Sequence, residues 1–218
     1  MAKRFELIVF DWDGTLMDSA AAIVEAIQEG CRDLDLVPPG NAQVRQIIGL
    51  GLHDALRSIL PDLDPAQYPL LAERYRFHYL TCDHELQLFT GAFDLIRALD
   101  AAGFMLAVAT GKSRIGLDRA LVTSGLQDFF HASRCADECN SKPHPQMLHE
   151  LMAEFAVMPE STLMIGDTTH DLLMARNANV AALAAAYGAH PRAALEAEAP
   201  LACAENIAEI HAWLMANT

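Results

Sequence analysis

Residues Phe5 to Ser19 read FELIVFDWDGTLMDS, an apolar run that stops at two aspartates, a glycine and a threonine. Leu7, Ile8, Val9 and Phe10 are apolar at every position, which predicts a strand buried on both faces, the central strand of a sheet covered by helices on each side. Asp11 and Asp13 then stand at its carboxyl end. Successive side chains of a strand point to opposite faces, so the two acids share one side while Trp12 points away, and the carboxylates lie roughly 7 Å apart along the chain. That spacing suits a reacting group held between them: one carboxylate attacks, the other trades protons with the departing group and then with water. Gly14 lets the backbone turn closely around a ligand. An EF-hand loop counted from Asp11 needs glycine at Leu16 and glutamate at Ala22, so a calcium loop is excluded. Helix capping accounts for Asp18 or Ser19, not for two acids ending an apolar strand.

The chain has 218 residues, 52% of them hydrophobic and 20% charged, the composition of an ordered globular protein with one large or two smaller domains. Its net charge of -14 argues against a general nucleic-acid or anionic-membrane binder. An anionic small molecule remains compatible, because exposed charges beyond about 8 Å are largely screened. The five cysteines, Cys31, Cys82, Cys135, Cys139 and Cys203, are odd in number and show no paired CxxC spacing, as expected of reduced thiols in a cytosolic protein. The apolar start is broken at Asp11, too early for a signal sequence, and no stretch approaches the ~20 apolar residues of a membrane span. A cytoplasmic location is therefore expected.

Downstream of the first strand, helical periodicity predicts helices from Ser19 to about Asp33, Ala42 to Ile48, His53 to Leu60 and Pro65 to about Thr81, with breaks at Pro38, Pro39, Gly40, Gly49 and Gly51. Four helices without a strand form an insertion, expected as an all-helical cap domain over residues 16–85, with residues 1–15 and 86–218 forming a Rossmann-like core. From Leu86 the pattern alternates. Helices are expected at Ala92 to Ala102, Arg114 to Thr123, Pro145 to Phe155, Thr169 to Asn177 and Ile207 to Met215. Strands are expected at Phe104 to Ala109, near His131 to Arg134, at Thr162 to Ile165 and at Val180 to Ala184. The fold class is α/β, a parallel sheet covered by helices on both faces, whose ligands bind outside the carboxyl ends of the strands. Asp11, Asp13, Thr110 and Asp167 all fall there.

Thr110-Gly111-Lys112-Ser113 carries the end of a P-loop, but the glycine such a loop needs five residues before Gly111 is Leu106, inside an apolar strand. Thr110 instead offers a hydroxyl which, with backbone N–H groups at the following helix start, suits phosphate oxygens. Lys142 lies in NSKPHP, where Pro143 and Pro145 stiffen a loop able to hold its charge against a phosphoryl group. Gly166-Asp167-Thr168-Thr169-His170-Asp171 repeats the logic of the opening strand, with Asp171 one helical turn from Asp167. Acids converging in this way repel without a cation, and an oxygen-only, phosphate-associated set suits Mg²⁺. His53, His144 and His170 have no partner at metal or triad spacing and are expected in supporting or surface roles, while Asp18, Lys112 and Arg114 are expected as capping or solvated groups.

Asp11-Trp12-Asp13-Gly14-Thr15, Thr110-Gly111, Lys142, and Gly166-Asp167 with Asp171 appear in the order and context of the haloacid dehalogenase-like hydrolases, and nearly the whole chain resembles their phosphoglycolate phosphatase-like group with a helical cap. The resemblance implies Asp11 as the nucleophile that becomes an aspartyl phosphate and Asp13 as general acid and then base. It implies Thr110, Gly111 and Lys142 as phosphate binders and Mg²⁺ held by Asp11, the Asp13 main-chain carbonyl and Asp167, with Asp171 on the metal or behind it. An acid at Asp13 separates the chain from the dehalogenases, which lack one there, and from phosphonate-cleaving relatives, which carry alanine. Where relatives often have glycine, this chain has Asn179. The expected activity is hydrolysis of small phosphorylated metabolites by a monomer or homodimer, with no nucleic-acid or membrane partner. The alternatives are a sugar-phosphate mutase, whose relatives carry lysine and arginine where this chain has Ile48 and Leu52, and a catalytically idle binding protein on the same fold. Cap residues Gly49 to Asp54 are expected to set specificity.

Overall fold

In the computed structural model, which describes residues 4–217, residue 84 by its backbone alone, the opening stretch forms strand β1, Leu7–Phe10, with all four side chains buried. β2 (Met105–Thr110), β3 (Ala132–Cys135), β4 (Thr162–Gly166), β5 (Ala181–Ala185) and β6 (Cys203–Ala204) complete one parallel sheet in the order β3-β2-β1-β4-β5-β6. β1 pairs on one side with β2, Phe10 opposite Val108, and on the other with β4, Phe10 opposite Ile165. The chain first winds outward from β1 through β2 to β3, then returns to β1's other side and winds through β4 to β6. The crevice at that reversal is where such sheets bind ligands, and Asp11 is the first residue beyond it.

The alternation of side chains along the strands sorts the core into two layers. Ile8, Phe10, Leu106, Val108, Leu163 and Ile165 pack against α5 (Ala92–Ala101), α6 (Arg114–Ser124) and α10 (Ile207–Asn217). Leu7, Val9, Ala107, Ala109 and Met164 pack on the other face against α7 (Gln146–Phe155) and α8 (Thr169–Asn177). Fully burying side chains of this size contributes about 1.5–3 kcal/mol each, which is why β1 tolerates no polar residue until it ends.

Between β1 and α5 the chain forms α1 (Ala20–Arg32), α2 (Asn41–Arg45), α3 (Leu52–Ile59) and α4 (Tyr68–Cys82). These have an apolar core of their own, including Ile23, Ile27, Leu56, Leu71 and Tyr79, to which Ala189 alone is added from the strand-bearing part among the buried residues. The two connections to the sheet run side by side: Asp18 donates its N–H to the Gln87 carbonyl at 3.0 Å, and Phe89 donates to Leu16 at 2.9 Å. Leu16 and Met17 pack with the sheet's core, and the first helix starts at Ala20.

Most predicted elements appear within a few residues of their expected bounds. The largest displacements are three residues: the second helix ends at Arg45, short of Ile48, and the fourth starts at Tyr68 because Asp64 Oδ1 accepts the Ala66 N–H and holds residues 64–66 in a turn. The short helix α9 (Arg192–Ala197) and the two-residue edge strand β6 were not expected from periodicity, being too short to display any. Ser19 precedes α1 as expected, but its hydroxyl makes no cap bond and donates instead to Asp13. Asn179 adopts φ 57, the left-handed conformation that asparagine tolerates. Among the described residues no helix is long and apolar enough to cross a membrane.

Candidate active site

Asp11 leaves β1 with its N–H donated to the Ile165 carbonyl of β4 at 2.9 Å, so the sheet ladder continues one residue past the strand and fixes where its side chain emerges. Its carboxylate is fully buried, and neither oxygen is aligned with a hydrogen-bond donor. Lys142 Nζ lies 2.8 Å from Oδ1 as a charge contact and donates a hydrogen bond of 2.6 Å to Asp171 Oδ1. Burial pushes the Asp11 carboxyl well above its usual range; the Lys142 charge opposes the shift, and the charges of Asp171 and Asp167 add to it. At Lys142 burial acts to lower the pKa, but the two carboxylates outweigh it and keep the ammonium charged.

Asp167 follows β4 and sits in a cradle of backbone. Thr15 Oγ1 donates to its Oδ1 at 2.7 Å and the Ala189 N–H to its Oδ2 at 2.7 Å. A Cβ on Gly14 would fall 2.2 Å from Oδ2, and one on Gly188 would fall 2.3 Å from the same atom, so only glycines admit this approach. Burial and the neighbouring Asp171 charge push the Asp167 carboxyl up to about 7, against the pull of its two donors. Asp171 lies one turn into α8, where its Oδ2 accepts both the N–H and the hydroxyl of Thr168, in a reciprocal cap of that helix.

Among the described residues, Asp11, Asp167 and Asp171 form one group whose ligand atoms lie within 4.8 Å of one another, all buried. Once all three are ionised, these carboxylates exceed the single Lys142 ammonium by two negative charges in a buried site. Orphaned Asp11 oxygens, an all-oxygen donor set and this excess charge fit a hard divalent cation.

Asp13 is held differently. Ser19 Oγ donates to its Oδ1 at 2.7 Å, and Lys112 Nζ lies 3.1 Å from each of its oxygens and 3.0 Å from the Tyr79 hydroxyl of α4. Lys112, expected as a capping or solvated group, is therefore tied to one of the two leading acids. Its place two residues past Thr110 was the available sequence signal. Thr110 ends β2 fully buried, with its Oγ1 accepting the Lys112 N–H. A Cβ on Gly111 would meet the Leu50 carbonyl at 2.5 Å and that of Gly49 at 2.7 Å, so the α2–α3 loop rests directly on this turn. The same loop donates the Gly51 N–H to Ser141 Oγ, next to Lys142, at 2.8 Å.

Asp11, Asp13, Thr110, Gly111 and Lys112 share a chamber of about 390 Å³ with the helical part, which contributes an apolar wall of Ile23, Ile27, Ile48, Leu52 and Leu80. His53 lines it, whereas His170 Nε2 donates to the Gln46 carbonyl at 2.9 Å, and His144 Nδ1 accepts the Gln146 N–H. Arg114 is not simply solvated: it pairs with Glu138 at 2.8 Å and bonds Ser133.

A model of the family described as haloacid dehalogenase-like hydrolase matches residues 8–185. The chain is 32% identical over 210 residues to a probable phosphatase, IndB, of Dickeya dadantii, covering 94% of this chain and 91% of that protein. It is 29% identical over 218 residues to a phosphoglycolate phosphatase of Vibrio vulnificus, covering 95% of each. The crystal structure of a predicted phosphoglycolate phosphatase from Haemophilus somnus shares the fold, with a TM-score of 0.87 and 24% identity over 96% of this chain and 98% of that one. With the family model spanning the sheet from β1 to β5 and a relative matched almost end to end, this chain belongs to the haloacid dehalogenase-like hydrolases, in their phosphoglycolate phosphatase-like group.

Proposed function

We propose that the chain is a Mg²⁺-dependent phosphatase that hydrolyses small phosphorylated metabolites through an aspartyl phosphate on Asp11, with residues 16–85 acting as a cap over a core of residues 1–15 and 86–218. The observation that carries this reading is the Asp11 carboxylate: buried at the end of the central strand, with the Lys142 ammonium 2.8 Å from Oδ1 as its charge partner and no donor on Oδ2, it is a nucleophile kept from water. In the first step an Asp11 oxygen attacks phosphorus and the ester P–O bond breaks. The electron pair stays on the departing oxygen, which takes a proton from Asp13. In the second step Asp13 takes a proton from water as that water attacks the same phosphorus and releases Asp11 and inorganic phosphate.

Thr110 and Lys142 would hold phosphoryl oxygens, with Gly111 bringing backbone N–H groups close to them. Asp11, the Asp13 main-chain carbonyl and Asp167 would hold Mg²⁺, and Asp171 would act behind them by anchoring Lys142. Bound there, the cation supplies charge neutralisation for the attacking carboxylate and the transferring phosphoryl group. The two phosphatase-named relatives and the family support this reaction class.

The test is phosphate release from p-nitrophenyl phosphate and from a panel of phosphorylated metabolites by the purified protein. Turnover that needs Mg²⁺ and vanishes in Asp11→Asn is expected. A protein that binds phosphate esters without releasing phosphate would place it instead among idle binding proteins on this fold.

A further inference from the structure

Lys112 has three ammonium hydrogens and three acceptors: Asp13 Oδ1 and Oδ2, each at 3.1 Å, and the Tyr79 hydroxyl at 3.0 Å. Its ammonium also stands 4.7 Å from the Tyr79 ring centroid. Lys112 belongs to the turn after β2 and Tyr79 to α4 of the helical part. The lysine thus joins the proposed proton donor to the helical part that walls the chamber.

Packing explains only the Tyr79 half of the arrangement, its ring lying in the apolar core of the helical part 5.8 Å from that of Tyr75. Lys112 and Tyr79 line the substrate chamber on one side and, on the other, a second cavity of about 370 Å³ bounded by Trp12, Met17, Asp83, Leu88, Phe93 and Ser124. With space on both sides, the Lys112 ammonium is held by these polar contacts. Asp13 in turn receives donors only from Lys112 and Ser19 among the described residues, and Ser19 sits beside the crossing into α1. Both partners of Asp13 therefore report where the helical part stands.

We propose that Lys112 is a positioning residue that orients Asp13 toward the leaving group only while Tyr79 of α4 is docked, so that proton delivery is coupled to closure of the helical part. The proposal rests on the phosphatase reading. It concerns one step, in which the Asp11–phosphorus bond forms, the ester bond breaks with its electron pair on the leaving oxygen, and Asp13 passes that oxygen a proton.

The experiment compares kcat/KM for an aryl ester, p-nitrophenyl phosphate, with that for an alkyl phosphate. This parameter reports only steps up to departure of the leaving group, so the shared hydrolysis of the aspartyl phosphate drops out. Nitrophenolate leaves without a proton, whereas an alkoxide needs one, and a positioned acid is worth about 10²–10⁴-fold. Lys112→Met is expected to shift the ratio against the alkyl ester by about tenfold or more. Tyr79→Phe keeps the Lys112–Asp13 pair and should shift it the same way by a smaller factor, and it carries the test if Lys112→Met does not fold. Equal losses on both esters, as a merely structural pair would give, or a ratio moved toward the alkyl ester, overturns the proposal. Absence of turnover of either ester by the wild type would instead overturn the phosphatase reading itself.

Discussion

Lys142 places its ammonium 2.8 Å from Asp11 in a site where the lysine side chain is wholly buried and the aspartate is 1% exposed. Its second contact, 2.6 Å to Asp171, makes one cation serve two buried anions. Lys142→Met keeps the length of the side chain and removes the charge, leaving both carboxylates uncompensated. A loss of about 3–5 kcal/mol is expected in metal-free protein near neutral pH, smaller in acid where the carboxyls take up protons. Urea unfolding at two pH values measures it; equal loss at both would show that the lysine acts by packing alone.

Asp11→Asn is expected to lower phosphatase activity by about a thousandfold or more, since the amide has the same shape but no nucleophilic charge. Stability should go the other way. Burial and the charges of Asp171 and Asp167 disfavour ionised Asp11, so the neutral variant should unfold, without metal, no earlier than the wild type. Phosphate release and calorimetry check the two halves. Activity within a few fold of wild type, after mass spectrometry excludes deamidation, removes Asp11 from the nucleophile's role.

Asp167 gives a pH dependence with a definite sign. Its carboxyl is raised to about 7 in the folded chain, against about 3.9 in an unfolded one, so the folded state binds the proton more tightly. That contribution to stability is full below about pH 4 and is lost as pH rises through about 7. Metal-free protein should therefore lose stability across this window on account of Asp167, while saturating Mg²⁺ replaces the proton and flattens the slope. Ca²⁺ should also stabilise yet inhibit, because its looser geometry does not hold attack in line. Thermal unfolding in EDTA, Mg²⁺ and Ca²⁺ across this range is the measurement, and identical curves in all three would exclude a cation at these acids.

Gly111 is the point where the α2–α3 loop meets the turn after β2, with the Leu50 carbonyl 2.5 Å from where a Cβ would stand. Gly111→Ala must push residues 49–51 away from the chamber. A fall in kcat/KM of about tenfold or more is expected from misplacement on the order of 1 Å, with the circular dichroism of the fold unchanged. Faster proteolytic cleavage in that loop would accompany it, and wild-type kinetics would show that the loop is not part of the closed chamber.

The sheet and the converging acids were legible because each strand announces itself as an uninterrupted apolar run and each acid as the interruption. Leu7–Phe10 and Asp11, Thr162–Gly166 and Asp167, obey one rule: a strand buried on both faces accepts no charge until it reaches the ligand edge. Contacts between distant segments have no such signature. Nothing in the local sequence near Lys112 says that Tyr79, 33 residues away, will accept from it, or that the Ser19 hydroxyl will serve Asp13 and not its own helix. Those facts depend on how α1 and α4 lie over the sheet, which periodicity does not encode.

That placement also separates hydrolysis from phosphate transfer between positions of a sugar. A mutase holds a second phosphate in its cap and needs cations there. Where related mutases carry lysine and arginine, this chain places Ile48 and Leu52, and both line the chamber as apolar wall. Arg45 and Arg57, the nearby cations in sequence, do not line it: Arg45 reaches the Gly188 carbonyl at 3.5 Å and Arg57 lies over the Tyr68 ring. Of the guanidinium groups that do line it, Arg119 is paired with Asp83 at 2.7 Å, and Arg76 has no ion pair among the described residues. One unpaired guanidinium against an aliphatic wall suits a modest leaving group better than a second phosphate dianion. With β-glucose 1-phosphate and a trace of the bisphosphate, phosphorus NMR should show inorganic phosphate as the accumulating product. Glucose 6-phosphate appearing faster than inorganic phosphate would assign the chamber to a mutase and make Arg76 its phosphate anchor.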